Sequence, residues 1–383
     1  MNAPCIAGVG LTPFGRQEGS DTLSLMSRAA ELALDDAGLT RADVDGLLTG
    51  YSTTHPHLML ATVFAEFFGL QPAYAHGVQV GGATGLAMVD LARRLVQAGA
   101  AERILVVAGE NRLTGQTRDQ TIQTLAQVGE PDHEVPNGAS VLAYYALLAS
   151  RYLAATGCGE RDLAELSVLM RRNASRYPGA HLTKPIGVDD VMASKPIATP
   201  LKQLDCCPIS DGAAAVIVAR RGSVPAAQRG AVITGGGQAH THQHLSAAPE
   251  PVAVGATQAV GRALGEAERR IGDMELLGVY DSFTVTLAEL LEASGVSGPG
   301  QAPADARHGR FDLDGELPLN PHGGLLSYGH AGVAGGMSHL VEAVRQLNGT
   351  SPLPAGKGPG LALVHADGGV MSSHVSLILE GSS

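Results

Sequence analysis

Residues 78–87 read Val78-Gln-Val-Gly-Gly-Ala-Thr-Gly-Leu-Ala87. The Gly81-Gly82 pair makes a tight turn, and the apolar spacing after it predicts a helix over 83–98. A helix start presents unpaired N–H groups and a partial positive charge. Gly82 sits at that start and brings no side chain to it. Working outward on either side, 44–51 and 104–108 read as strands, the second of them buried. Before them, 6–9 reads as a strand and 22–37 as a helix stopped by Gly38. Strands alternating with helices indicate α/β layering.

The second half repeats the order. Strands are predicted over 231–233, 276–280 and 361–365, and helices over 254–270 and 330–347. Leu47-Leu48-Thr49-Gly50-Tyr51 aligns with Leu276-Leu277-Gly278-Val279-Tyr280, and 104–107 aligns with 362–365. An internal duplication accounts for this order. It divides the chain into halves 1–225 and 226–383, with the boundary at Arg221-Gly-Ser-Val-Pro225. Residues 112–200 have no counterpart in the second half. They hold two helical segments, 141–155 and 162–174, and then a Pro-rich stretch, as expected of an inserted loop domain or lid.

Composition narrows the function classes. The chain has 383 residues, 44% of them hydrophobic, enough for a large core, and a net charge of −11 with no Lys/Arg run. Nucleic acid and anionic membranes are therefore not expected partners. No apolar run reaches membrane-spanning length, and no basic segment followed by an apolar one marks a signal peptide. Cys5, Cys158, Cys206 and Cys207 form no metal or disulfide pattern, which fits a reducing cytoplasm. His240, His242 and His244 alternate, but no carboxylate or cysteine accompanies them. A solvent-facing loop is expected there, with no metal. Gly235-Gly-Gly237 lacks the spacing of a dinucleotide fingerprint.

Several motifs, in order, resemble the thiolase superfamily, in the branch of sterol-carrier-protein-type thiolases and lipid-transfer proteins. They are Gly8-Val-Gly-Leu-Thr-Pro-Phe-Gly-Arg16, Asn173-Ala-Ser-Arg-Tyr-Pro-Gly-Ala180, Ala193-Ser-Lys-Pro-Ile-Ala-Thr-Pro-Leu201, Asp205-Cys-Cys-Pro-Ile-Ser-Asp-Gly-Ala-Ala-Ala215, Asn320-Pro-His-Gly-Gly324 and Gly329-His-Ala-Gly332. The resemblance implies a duplicated five-layer α-β-α-β-α fold, acyl-CoA substrates and a homodimer across the first-half sheet. In that family the turn at 78–87 carries the nucleophilic cysteine. Here the position is Gly82, so no acyl-enzyme can form on it. Its N–H groups remain able to bind a thioester enolate; the alternative is a packing glycine in a protein that has lost catalysis.

The resemblance supplies further candidates. Tyr280-Asp-Ser-Phe-Thr284 stands where the family commonly has His/Asn-x-x-Phe, so Tyr280 becomes an acid–base or oxyanion candidate and Ser282 a lining residue. His330 matches the histidine of the Gly-His-Pro motif, with Ala331 in place of Pro, and is a candidate catalytic and thioester-binding group. Thiolase-fold aldolases of steroid side-chain degradation lack the cysteine and use two tyrosines, and Tyr280 and Tyr328 resemble that pair. His365, ahead of Asp367-Gly-Gly369, stands near the place of the second thiolase cysteine; it either touches the site or ends a buried strand. Cys206 and Cys207 match a strand-entry segment and are expected to be inert buried thiols.

The leading expectation is retro-aldol cleavage of a β-hydroxyacyl-CoA. Claisen-type acyl transfer is the second, and a non-catalytic acyl-CoA or lipid-binding subunit the third. No cofactor beyond the CoA of the substrate is expected. The branch also implies a small OB-fold, zinc-ribbon partner protein that would hold the zinc.

Overall fold

A computed structural model describes residues 3–225 and 230–381. The first half runs β1 (Pro4–Leu11), α1 (Thr22–Ala37), β2 (Gly46–Gly50), α2 (Leu60–Phe68), β3 (Tyr74–Val78), α3 (Thr84–Gln97) and β4 (Arg103–Asn111). An insert follows, with α4 (Arg118–Ala126), α5 (Val141–Thr156), α6 (Glu160–Ala174), α7 (Val188–Ala193) and the short strands β5 (Pro196–Ala198) and β6 (Leu201–Lys202). β7 (Asp211–Arg220) closes the half. The second half runs β8 (Ala231–His240), α8 (Val254–Ala267), β9 (Leu276–Val279), α9 (Thr284–Ala293), α10 (Ala302–Arg307), α11 (Gly324–Ser327), α12 (Val333–Asn348), β10 (Leu361–Gly368) and β11 (Ser373–Glu380).

Nine strands form one hydrogen-bonded sheet in the order β3-β2-β4-β7-β1-β8-β11-β10-β9. Within the sheet, among the described residues, the strands of the two halves pair where Cys5 faces Val232 and Ile6 faces Ala231. On either side of that seam the pattern repeats: β1, β7, β4 and β2 correspond to β8, β11, β10 and β9. In each half two antiparallel contacts are followed by a parallel one. α1 covers the outer face of the first half and α8 that of the second, while α3 and α12 pack between them. These are the five layers of the duplicated α-β-α-β-α fold.

Close packing repeats as well. A Cβ on Gly8 or Gly10 would lie 2.3 and 2.0 Å from the carbonyls of Ala33 and Ala29 on α1. On Gly235 or Gly237 it would lie 2.2 and 2.1 Å from Ala263 and Ala259 on α8. Glycines on the first strand of each half thus let its outer helix sit directly on the backbone.

The two alignments between the halves do not share one register. Leu47 faces Leu105, whereas Leu276 faces Ala362. One alignment is therefore displaced by a residue, a shift that short apolar strands do not reveal because every position in them is buried. The insert's α5 and α6 pack on α9, α10 and α11 of the second half, which brings it over the strand ends where the candidate residues lie.

Candidate active site

The Gly81-Gly82 turn is tied down by Thr84, whose hydroxyl donates to the Gly81 carbonyl (2.6 Å) and accepts from Val80 N–H (2.9 Å). Gly81 adopts a positive φ of 61°, and α3 begins at Thr84. Against this turn lies the Gly368-Gly369 turn after β10: a Cβ on Gly81 would stand 2.6 Å from Gly369 N. Two glycine turns, one from each half, therefore meet at the start of α3.

Tyr280 follows β9 and its N–H donates to the His365 carbonyl at 3.0 Å. Its hydroxyl reaches the Gly82 turn. A Cβ on Gly82 would be 2.3 Å from the Tyr280 hydroxyl and 2.5 Å from the Asp367 carbonyl. The phenol thus fills the space that a side chain at 82 would need. His330 precedes α12 in a loop of glycines, where its N–H donates to the Pro208 carbonyl at 3.1 Å and to Ser210 Oγ at 3.3 Å. Its Nε2 lies 3.1 Å from the Tyr280 hydroxyl, and its buried Nδ1 has no hydrogen-bond partner among the described residues. Burial raises the Tyr280 phenol well above its ordinary value. Burial, followed by the positive field of Arg112, holds His330 down to about 3. The pair is neutral at physiological pH.

Asp281, next in the chain, is fully buried and accepts from Leu325 N–H (2.7 Å) and Leu326 N–H (3.3 Å). Its carboxylate fixes the start of the Gly324–His330 loop. His339 Nε2 lies 3.3 Å from Asp281 Oδ1 but off the angle of a hydrogen bond. Ser282 turns back toward its own helix, with Oγ 3.4 Å from Thr286 Oγ1.

The structure brings Gly82, Tyr280 and His330 together and leaves the other candidates apart. Tyr328 is buried among Phe14, Tyr177 and His322, and its hydroxyl donates to the Thr12 carbonyl at 3.1 Å. It faces the N-terminal loop rather than the Tyr280–His330 pair. The His365 side chain bonds Ser376 Oγ (2.8 Å) and His374 Nδ1 (3.3 Å), so only its carbonyl reaches Tyr280. His240 ends β8 beside Ser373, and His242 bonds the Val370 carbonyl. His240 and His242 thus have separate partners, and no group of three metal-ligating side chains occurs among the described residues.

Tyr145 and Arg112 enter the neighbourhood unannounced by any motif, and Cys207, matched above only to a strand entry, comes closer than that match implies. Cys207 N–H donates to the Ser282 carbonyl at 3.0 Å, which carries this thiol to the Tyr280 loop rather than merely to a strand entry. Burial pushes its pKa up, and that of Cys206 up to about 12. Tyr145 of α5 stacks on Phe283 with centroids 4.3 Å apart, and its hydroxyl donates to Asp367 Oδ2 at 3.0 Å. Arg112 lies just past β4, Nε 3.4 Å from Glu110 Oε2. The available signal for Arg112 was positional: a polar residue immediately after a buried strand lies at the carboxyl end where α/β sheets bind ligands. Two surface hollows, of about 510 and 190 Å³, are lined by residues such as Thr62 and Pro72, and Thr156 and Arg307. Neither includes a residue of this cluster.

Comparison with known proteins agrees with the fold. The chain is 32% identical to a 17-hydroxy-3-oxo-4-pregnene-20-carboxyl-CoA lyase of Mycobacterium tuberculosis, over 97% of this chain and 98% of that one. It is 28% identical to an acetyl-CoA acetyltransferase of Methanothermobacter thermautotrophicus, over 96% and 97%. Among solved structures, the Ltp2-ChsH2(DUF35) aldolase superposes with a TM-score of 0.84 at 28% identity, covering 99% of this chain and 98% of that one. Residues 5–222 match the family model for the thiolase N-terminal domain, and residues 237–381 match that for the thiolase C-terminal domain-like family. With both halves matched and the strand order and Gly-His loop in place, the chain belongs to the thiolase family.

Proposed function

We infer that this chain is a carbon–carbon lyase that cleaves a β-hydroxyacyl-CoA by a retro-aldol reaction. The observation that carries the reading is the Tyr280 hydroxyl, seated in the space of a side chain at Gly82 and 3.1 Å from His330 Nε2. A thiolase turn so occupied has no room for an acyl-cysteine. It offers a proton-handling pair instead, and retro-aldol cleavage needs no covalent nucleophile. The relatives named as a lyase and an aldolase support the same chemistry.

In this reading the β-hydroxyl gives its proton to the Tyr280 oxygen while Tyr280 passes its own to His330 Nε2. The Cα–Cβ bond breaks, the β-carbon leaves as a carbonyl compound, and the electron pair enters the thioester enolate. The N–H groups at the start of α3 face the developing charge. The proton then returns through Tyr280 to Cα. An imidazole held at about 3 gives its borrowed proton back readily. CoA enters as part of the substrate.

The acetyltransferase relative keeps acyl transfer as the second reading. It needs a thiolate, and Cys207 is the thiol carried to the Tyr280 loop. Its raised pKa disfavours the nucleophilic form.

The assembly belongs to the same proposal. The edge strand β3 is half-exposed, and Leu58 and Met59 ahead of α2 and Phe67 on it are exposed; a second copy of this chain would cover them. A small partner protein is proposed because the aldolase neighbour is a two-component Ltp2-ChsH2(DUF35) assembly. No helix among the described residues is long and apolar enough to cross a membrane.

The test is incubation of the chain, alone and with a co-expressed small partner, with β-hydroxyacyl-CoA, followed by chromatography and native mass measurement. A shorter acyl-CoA plus a ketone or aldehyde is expected. CoA-dependent shortening of a β-ketoacyl-CoA instead would establish acyl transfer and overturn the lyase.

A further inference from the structure

Cleavage of the Cα–Cβ bond puts a negative charge on the thioester oxygen, and the only cation that the Tyr280–His330 pair forms is the transient imidazolium of His330. The imidazole is uncharged at rest, and the proton it borrows sits on Nε2, which is engaged with Tyr280 and not with the thioester oxygen. Tyr280 is a neutral phenol. The N–H groups of α3 contribute only a partial charge.

Arg112 is a permanent cation whose place in the fold bears on this charge. It follows the last residue of β4, where Asn111 faces Asp211 of β7. The next residue, Leu113, donates its N–H to Asp211 Oδ1 at 2.7 Å. Asp211 is joined to Ser210, whose Oγ accepts from His330 N–H at 3.3 Å and whose N–H donates to the His330 carbonyl at 3.1 Å. The backbone beside Arg112 is thus tied to the loop that carries His330. The Arg112 side chain is only 10% exposed, and its Nε has no hydrogen-bond partner among the described residues.

Its one close carboxylate among the described residues is Glu110, at 3.4 Å, and Glu110 is already engaged. Its Oε1 accepts from Thr53 N–H and its Oε2 from Thr53 Oγ1, both at 2.9 Å. Gly332, two residues after His330, packs onto the same carboxylate: a Cβ there would lie 2.7 Å from Glu110 Cδ. Glu110 therefore seats Arg112 against the α12 entrance without saturating it. A largely buried guanidinium with an idle donor is costly unless a ligand completes it. Its field reaches the reacting groups, lowering His330 and opposing the rise of Tyr280.

We propose that Arg112 is a further catalytic residue, whose guanidinium donates hydrogen bonds to the thioester oxygen as that oxygen becomes an enolate. This rests on the carbon–carbon cleavage proposed above. The step is charge-balanced. The Cα–Cβ pair moves onto the enolate, the oxygen gains the charge, Arg112 pairs with it without giving up a proton, and the pair collapses when Cα is protonated through Tyr280.

The test uses Arg112→Met and Arg112→Gln in the assembled protein, with two readouts. The first is turnover of a β-hydroxyacyl-CoA. Removing an oxyanion donor is expected to lower kcat by about 10²–10³-fold with KM changed less than about threefold, since the contact forms in the transition state. The second is binding of a nitroalkyl thioether of CoA, whose nitronate anion copies a thioester enolate, against the plain alkyl thioether. Wild type is expected to prefer the nitronate by about tenfold or more, and both variants to lose that preference, in line with a lost charge-assisted contact. Variants that keep both kcat and the preference would overturn the proposal. So would a rise in KM at unchanged kcat, which would mark Arg112 as a general substrate-binding group. If wild type cleaves no β-hydroxyacyl-CoA but the variants still lose the nitronate, the reaction is misassigned and the anion site stands. Arg112→Gln carries the test alone if Arg112→Met does not fold.

Discussion

The phenol of Tyr280 and the backbone of Gly82 compete for one volume: a Cβ on Gly82 would stand 2.3 Å from the hydroxyl. Restoring the cysteine is therefore not a route back to acyl transfer. Gly82→Cys is expected to displace Tyr280, to abolish cleavage and to cost about 1–3 kcal/mol through overpacking. Tyr280→Ala in the same chain removes the phenol and relieves part of that cost. The two stability losses should fall short of additivity by about 1 kcal/mol, as for residues in contact. Additive losses in denaturant unfolding would show that the phenol does not fill the space.

Tyr280→Phe keeps the ring and deletes the hydroxyl that bonds His330. Turnover is expected to drop by about 10²-fold or more, as for lost acid–base help, with melting little changed. The same geometry sets the pH profile of the wild type. His330 is held down to about 3 and Tyr280 well above its ordinary value. Neither titrates between about pH 5 and 9, so kcat/KM should show no limb from this pair across that range. A limb near 6.5 that disappears in His330→Asn would contradict the buried, neutral imidazole.

Much of this was legible in the sequence because it is written in local pattern. The helix at 22–37, the Gly38 stop and the strand–helix alternation all follow from apolar spacing and turn chemistry, and Gly38 takes the left-handed conformation with φ 64°. Gly82, Tyr280 and His330 could be singled out because each departs from, or keeps, a position in an ordered family pattern. Side-chain direction was not legible. Tyr328 lies two residues from His330 in the chain, yet the loop turns at Gly329 with φ 125° and sends it to Thr12. His365 stands at the expected place on β10, but a strand alternates its faces, and its ring lies with Ser376 and His374. Arg112 and Cys207 come near the pair through contacts between β4, β7 and the Tyr280 loop, which no local pattern encodes.

The two buried histidines behind β10 make the fold sensitive to acid. Burial lowers His374 to about 4 and His365 well below its ordinary value. In the unfolded chain both titrate near 6.5. Between those values the unfolded state binds more protons, so stability falls as pH drops from about 6.5 toward 4. The slope is at most about 1.4 kcal/mol per pH unit for each histidine. Buried carboxyls such as Asp367 and Asp281, raised by burial, act in the opposite sense. His374→Asn should therefore flatten the fall in unfolding free energy over that window, so that the variant is less destabilised relative to wild type at pH 5 than at pH 8. An unchanged slope would show that His374 is charged or solvated in the fold.

Arg93 on α3 ties the middle layer to the second half. It is fully buried, donates to Asp90 Oδ1 (2.8 Å) and reaches Glu266 of α8 with both terminal nitrogens (2.8 and 2.9 Å). Gln238 of β8 donates to the remaining oxygen of Asp90 at 2.9 Å. Arg93→Ala leaves Asp90 buried without its main partner and should cost about 3–5 kcal/mol. Glu266→Gln should cost less, because that side chain is 39% exposed. Thermal or denaturant unfolding of both variants checks the order. Equal losses would place the cost in α8 rather than in the buried Asp90 charge.

Tyr328 provides the contrast to Tyr280. Both are buried tyrosines near the Gly-His loop, and the sequence offers no means to separate their roles. The Tyr328 hydroxyl is already spent on the Thr12 carbonyl at 3.1 Å, and its ring is packed on Phe14 with centroids 4.9 Å apart. Burial raises its pKa, so it holds its proton. Tyr328→Phe keeps the packing and deletes one hydrogen bond, which should cost about 1 kcal/mol of stability. Its kcat should stay within about threefold of wild type, while Tyr280→Phe loses about 10²-fold. The pair of variants, measured side by side for melting and turnover, separates a structural phenol from a reacting one. A Tyr328→Phe enzyme that melts like wild type yet loses turnover as severely as Tyr280→Phe would mean that the loop turns inward during the reaction and that the Thr12 contact is broken in the working enzyme.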